Sequence, residues 1–184
     1  MSSELEHAIN QVYQKVGRNV VFFQKLESML KRLTAGNQIS GYVSEIEQKR
    51  QKQAESVKKQ TLGQVAALFI EHNSSEDDIK LGPDDPKEPW ISFGCKHSGE
   101  GTEERKKEIA ALIEERNKLI HQFNEICDLS SFESCTQAEK YLDRLYDSVI
   151  SEIRNLDCAE QALNIAFQAL MLPATKDVEN HLCC

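Results

Sequence analysis

The sequence has no excess of basic residues: 22 Lys and Arg stand against 30 Asp and Glu, giving a formal net charge of −8. A protein that coats nucleic acid nonspecifically needs a broadly basic surface that neutralises phosphates, so that class is excluded, while a local basic cleft is not. No stretch approaches the roughly 20 apolar residues of a membrane-spanning helix. The opening residues, MSSELEHAINQVYQK, lack the basic start and apolar run of a secretory signal, which sets the expectation of a soluble, cytoplasmic protein with no membrane partner. The six cysteines (Cys95, Cys127, Cys135, Cys158, Cys183, Cys184) show no paired spacing, so reduced thiols are expected rather than a disulfide framework. Cys95-x-His97 and His181-x-Cys183-Cys184 use zinc-ligand residue types without the two-plus-two spacing of a structural site, and no metal or other cofactor is expected. A G-x-x-x-x-G-K-[ST] loop is also missing, so the terminal Cys183-Cys184 pair reads as tail and not as the lipidated end of a small GTPase.

What the sequence does have is helical periodicity. Its 184 residues, 40% hydrophobic, suffice for one core, and a single domain is expected over 1–172 with a flexible tail at 173–184. Leu5, Ile9, Val12, Val16, Asn19, Phe23, Leu26, Leu30 and Leu33 alternate steps of four and three, the stripe of one long helix. Ser3 and Glu6 suit a capping box at its start, and the "GNQISG" stretch at 36–41 breaks it. A second helical stretch begins near Tyr42. Its basic run of Lys49, Arg50, Lys52, Lys58 and Lys59 could track phosphates, but the interleaved Glu45, Glu47 and Glu55 favour a solvated face. "TLGQVAALFIEH" then regains apolar character.

Residues 73–101 hold three of the four prolines and four of the eight glycines, and read as a loop or short hairpin excursion. Within it "PWISFGC" suits a strand, with "IKL" at 79–81 as its expected partner. A third long helix is predicted from Thr102 to about Ile126, and a fourth from a Ser134–Gln137 capping box. The fourth carries Ala138, Tyr141, Leu142, Leu145, Val149, Ile153 and Leu156 as its stripe. A fifth, shorter helix is predicted after Asp157, ending before Pro173. The expected fold class is all-α: an up-and-down bundle of four to five helices with one irregular loop or short β-hairpin excursion.

Two stripes are broken by a single polar residue each, Asn19 in the first helix and Arg116 in the third, where Ile109, Leu112, Leu119, Phe123 and Ile126 share its face. Both have structural readings: a buried Asn can fix helix register, and a buried Arg can pair with a carboxylate such as Glu27. Arg116 also stands in Arg116-Asn117-Lys118-Leu119-Ile120-His121. Asn117 and His121 are four apart and stack on one flank, and Arg116 lies about 100° from Asn117 and about 140° from His121 around the helix.

Arg-Asn-x-x-x-His on a late helix of an all-helical chain resembles the signature of the HEPN superfamily, and "VGRNVVFFQKLE" at 16–27 resembles the first helix of bacterial proteins of this type. The resemblance spans the helical arrangement of residues 3–172, and its specific part is the six-residue motif. It implies a metal-independent endoribonuclease, a toxin or antiviral effector, working as a homodimer whose two motifs line a shared cleft. RNA is then the substrate, and an antitoxin protein joins the expected partners. Arg116 would contact the scissile phosphate and stabilise its growing charge, His121 would be the general acid or base, Asn117 would orient histidine or phosphate, and Asn19 would support the site. Some members do not cleave RNA, so the alternative is a noncatalytic helical module for protein interaction or regulation.

Overall fold

The computed structural model describes residues 3–74, 82–83, 88–94 and 102–180. Among them the fold class is all-α, six helices and one two-stranded ribbon: α1 (Ser3–Gly36), β1 (Gln38–Tyr42), α2 (Val43–Lys58), α3 (Leu62–Ser74), β2 (Trp90–Gly94), α4 (Thr102–His121), α5 (Phe123–Ile126) and α6 (Phe132–Asn180). The chain divides into two compact units, one of Met1–Ser28 with Glu103–Asn155 and the other of Met29–Thr102 with Leu156–Cys184.

In the first unit the predicted stripes form the core: Val12, Asn19, Phe23 and Leu26 from α1, Ile109, Leu112 and Leu119 from α4, and Cys135, Ala138, Leu142, Leu145, Val149 and Ile153 from α6 are buried. Polar contacts rim it. Lys15 pairs with Glu139 at 2.9 Å and with Asp143 at 2.6 Å, Arg18 reaches Asp143 at 2.8 Å, and the Arg18 guanidinium lies over the Tyr146 ring.

In the second unit Leu30, Leu33, Ile39, Ile46, Leu62, Val65, Phe69, Ile91 and Leu156 are buried. Thr61 and Gln64 form the capping box of α3, the Thr61 amide donating to Gln64 Oε1 at 2.9 Å. The side chains of Gln53 and Lys49, four apart on α2, donate to the Gln38 and Ser40 carbonyls of β1.

Several expectations are corrected. The strand at Trp90–Gly94 pairs antiparallel with Gln38–Tyr42, in the register Ile39–Phe93 and Gly41–Ile91. Residues 79–81, its expected partner, lie outside the described residues. "GNQISG" does end α1, but the chain emerges from it as β1, because extended residues there have both a strand and the α2 side chains to satisfy their backbone. The third helix stops at His121: Gln122 leaves the helical region at φ −129°, and α5 resumes for one turn. The cap of α6 sits three residues earlier than expected, with Ser131 and Ser134 exchanging side-chain hydroxyl and backbone amide hydrogen bonds at 3.1 Å. No fifth helix restarts after Asp157. Between Phe132 and Leu172 there is no glycine or proline, the stripe continues in phase from Leu156 to Glu160, Leu163 and Phe167, and Asp157 accepts from Gln161 one turn on. α6 runs to Asn180, and residues 181–184 of the expected tail lie outside the described residues.

Candidate functional site

α4 carries all three motif residues, and its acidic first turn (Glu103, Glu104) and buried Ile109, Leu112 and Leu119 fix which way it faces. Arg116, in line with that stripe, is half-buried at the core's edge, while Asn117 and His121 are exposed. Arg116 Nη1 donates to Asn117 Oδ1 at 3.1 Å, and among the described residues no carboxylate lies within ion-pairing distance of the guanidinium.

The nearby carboxylates are engaged elsewhere. Lys118 holds Glu114 at 2.9 Å and Glu115 at 3.1 Å, and Glu115 also accepts from the Tyr141 hydroxyl of α6 at 2.7 Å. Partial burial pushes the Glu115 carboxyl up, but the Tyr141 and Lys118 hydrogen bonds outweigh it and hold the group below its ordinary value. Burial and then the Glu115 carboxylate push the Tyr141 phenol well above its own. Glu115 is therefore an anion locked onto α6, and the guanidinium next to it in sequence keeps most of its donors for an outside acceptor.

His121 is the last residue of α4, five positions and about 7.5 Å of helical rise beyond Arg116. Among the described residues its ring makes no hydrogen bond. The structure thus joins Arg116 to Asn117 directly and places His121 on the same helix without bonding it to either. Around the helix end exposed apolar side chains stand among the polar Gln122, Asn124 and Glu125: Ile120 and Ile126 are exposed, and exposed Tyr13 meets Phe123 with ring centroids 6.5 Å apart.

Asn19 lies elsewhere. It is fully buried in the first unit, and its amide nitrogen donates to the Lys15 and Leu142 carbonyls, both at 3.0 Å. The bond to Leu142 clamps α1 to α6 while that to Lys15 stays within α1, neither goes to α4, and Oδ1 has no partner among the described residues.

The sequence reading missed a buried ion pair. Glu152 of α6, 4% exposed, accepts from Arg105 of α4 at 2.8 Å. Burial pushes the Glu152 carboxyl above its ordinary value, with Arg105 opposing in part. A charged residue on the shoulder of an apolar stripe was the only signal, and its partner lies on another helix. The basic run of α2 is largely occupied: Lys49 pairs with Glu45, Arg50 lies over the Phe167 ring, and Lys58 pairs with Glu55. Of the buried cysteines, Cys127 and Cys135 have thiols that burial pushes up, which makes them poor nucleophiles.

Among the described residues no group of three or more His, Cys, Asp or Glu side chains is arranged to hold a metal ion. Cys95, His97, His181, Cys183 and Cys184 lie outside them. No described helix is long and apolar enough to cross a membrane. Comparison with protein-family models, characterised proteins and solved structures finds no match for this chain.

Proposed function

We propose that this chain is a HEPN-like, metal-independent endoribonuclease acting in the cytoplasm as a homodimer, as a toxin or antiviral effector that an antitoxin protein would neutralise. The observation that carries the reading is a half-buried guanidinium, Arg116, hydrogen-bonded to Asn117 and without a carboxylate partner among the described residues, on the helix that ends in exposed His121. A cation held at a core edge is positioned to meet an anion from outside the chain, and a phosphodiester fits its planar donor geometry.

In the proposed reaction the substrate's 2′-hydroxyl oxygen attacks the adjacent phosphorus. A new O2′–P bond forms and the P–O5′ bond breaks, leaving a 2′,3′-cyclic phosphate and a 5′-hydroxyl. His121 takes the 2′-hydroxyl proton, or supplies the one that the departing 5′ oxygen needs, and the His121 of a second copy is available for the complementary transfer. Arg116 stabilises charge on the non-bridging oxygens, and Asn117 holds the guanidinium in place.

The test is incubation of the purified chain with assorted RNAs in excess chelator. Cleavage is expected to persist, and Arg116→Ala and His121→Ala each to lower it by roughly 10²–10⁴-fold with helical circular dichroism unchanged. Cleavage that needs a divalent metal, or that is indifferent to His121→Ala, contradicts the mechanism. The second reading, a noncatalytic interaction module, draws its support from the exposed Ile120, Ile126 and Tyr13.

A further inference from the structure

The second half of α6 presents an outward face that nothing in the chain's charge pattern would lead one to expect. From Gln161 through Thr175 there is no charged residue, in a chain whose composition is 28% charged. The inward side of this segment is accounted for: Glu160 is bound by Arg32 at 2.6 Å, Leu163 lies so close to Gly36 that a β-carbon there would meet it at 2.9 Å, and Arg50 covers Phe167. The outward side carries an apolar stripe beside the exposed, uncharged Gln161, Asn164 and Gln168. Cys158, Ala162, Ile165 and Ala169 recur at steps of four, three and four, all are exposed, and Ile165, at 68%, is the most exposed of the chain's large hydrophobic residues among those described. An exposed apolar stripe on an uncharged helix, opposite a face already packed, is suited to an interface.

We propose that this face is the contact between two copies of the chain, made through α6. Three observations select a second copy as the occupant. The positions follow a heptad register, with Ala162 and Ala169 at one seam position and Cys158 and Ile165 at the other. Residue size agrees: one large exposed side chain, Ile165, stands among the small Ala162, Ala166 and Ala169, the alternation of knob and hole that an isologous two-fold contact needs. The electrostatics agree. Two chains of net charge −8 repel over most of their surfaces, but the residues flanking this seam are Gln161 and Gln168 on one side and Ala159 and Ala166 on the other, so here they meet without like charges. The proposal does not rest on the ribonuclease reading, and it uses none of the motif residues.

The experiment is sedimentation equilibrium of the full chain at micromolar concentration, in reductant, with no RNA present. The wild type is expected to have at least twice the 20.9 kDa mass of one chain. Ile165→Glu is expected to halve that mass while leaving circular dichroism unchanged, because the exposed side chain supports no core. Ile120→Glu, beside the motif, serves as the comparison and is expected to leave the α6-mediated association intact. A wild type that is monomeric, an Ile165→Glu variant with the wild-type mass, or a loss of association caused by Ile120→Glu alone each overturns the proposal. RNA cleavage is not read in this experiment, so its outcome and that of the ribonuclease test are separable.

Discussion

At the residue scale, Asn19 and Glu152 show how differently two buried polar groups can be held. Asn19 donates to two carbonyls that lie within helices, so removing its amide leaves no buried carbonyl newly orphaned, and its own Oδ1 already lacks a partner among the described residues. Asn19→Leu is therefore expected to change stability by no more than about 2 kcal/mol in urea denaturation, two lost hydrogen bonds being offset by removal of a buried unpaired oxygen. Asn19→Asp keeps the shape but sets a carboxylate against two carbonyl oxygens. It is expected to cost about 3 kcal/mol or more at neutral pH and to recover as the medium becomes acidic enough to protonate it. A small effect of Asn19→Asp would show that the site is wetter than the structure has it. Glu152 titrates in the sense opposite to a stabilising surface carboxylate. Its folded value is raised, so between the unfolded value, near 4.3, and the folded one the native state holds a proton that the unfolded chain releases; its contribution to stability falls as pH rises through that window. Arg105→Ala removes the guanidinium that opposes the shift, leaves the buried carboxyl with only the long Asn155 contact, and is expected to cost about 3 kcal/mol at neutral pH, with the deficit narrowing as acid protonates the carboxyl. A pH-independent deficit would mean that Glu152 finds water in the variant.

At the element scale, the stripes were legible and the joints were not. Val12, Asn19, Phe23, Leu26, Leu30 and Leu33 are buried as their spacing requires, and Arg116 sits at the core edge as a cation in an apolar seam must. The β1–β2 ribbon was hidden because its pairing joins residues some fifty positions apart, and Gln38–Tyr42 resembles a helix terminator when read locally. The unbroken α6 was hidden because Asp157 mimics a cap, although in the structure it serves an i,i+4 bond to Gln161. This difference can be measured. Proline at the first position of a new helix is tolerated, whereas inside a continuous helix it costs about 3 kcal/mol. Cys158→Pro, at an exposed side chain, is therefore expected to lower the stability of the chain by about that amount; a variant as stable as the wild type would restore the boundary after Asp157.

At the scale of the whole molecule, the proposed activity sets an acidic, helical chain to work on a polyanion. The net charge gives no general attraction for RNA, and of the α2 cations Lys49, Arg50 and Lys58 are taken up by neighbours, so the proposed binding would rest on few groups and be correspondingly sensitive to each. Of the candidate site, the Arg116–Asn117 pairing could be read from adjacency and helical geometry. What could not be read was that Glu114 and Glu115 are committed to Lys118 and Tyr141, because that depends on α6 packing beside α4. The central claim is that Arg116 and His121 direct a substrate's own 2′-hydroxyl onto its phosphate. It is tested most directly by identifying the ends of the RNA fragments formed by the wild-type chain in excess chelator, with His121→Ala and a 2′-O-methylated substrate alongside. The account predicts 2′,3′-cyclic phosphate and 5′-hydroxyl ends, formed by the wild type and lost in both comparisons; 3′-hydroxyl and 5′-phosphate ends, or cleavage that survives 2′-O-methylation, would contradict it.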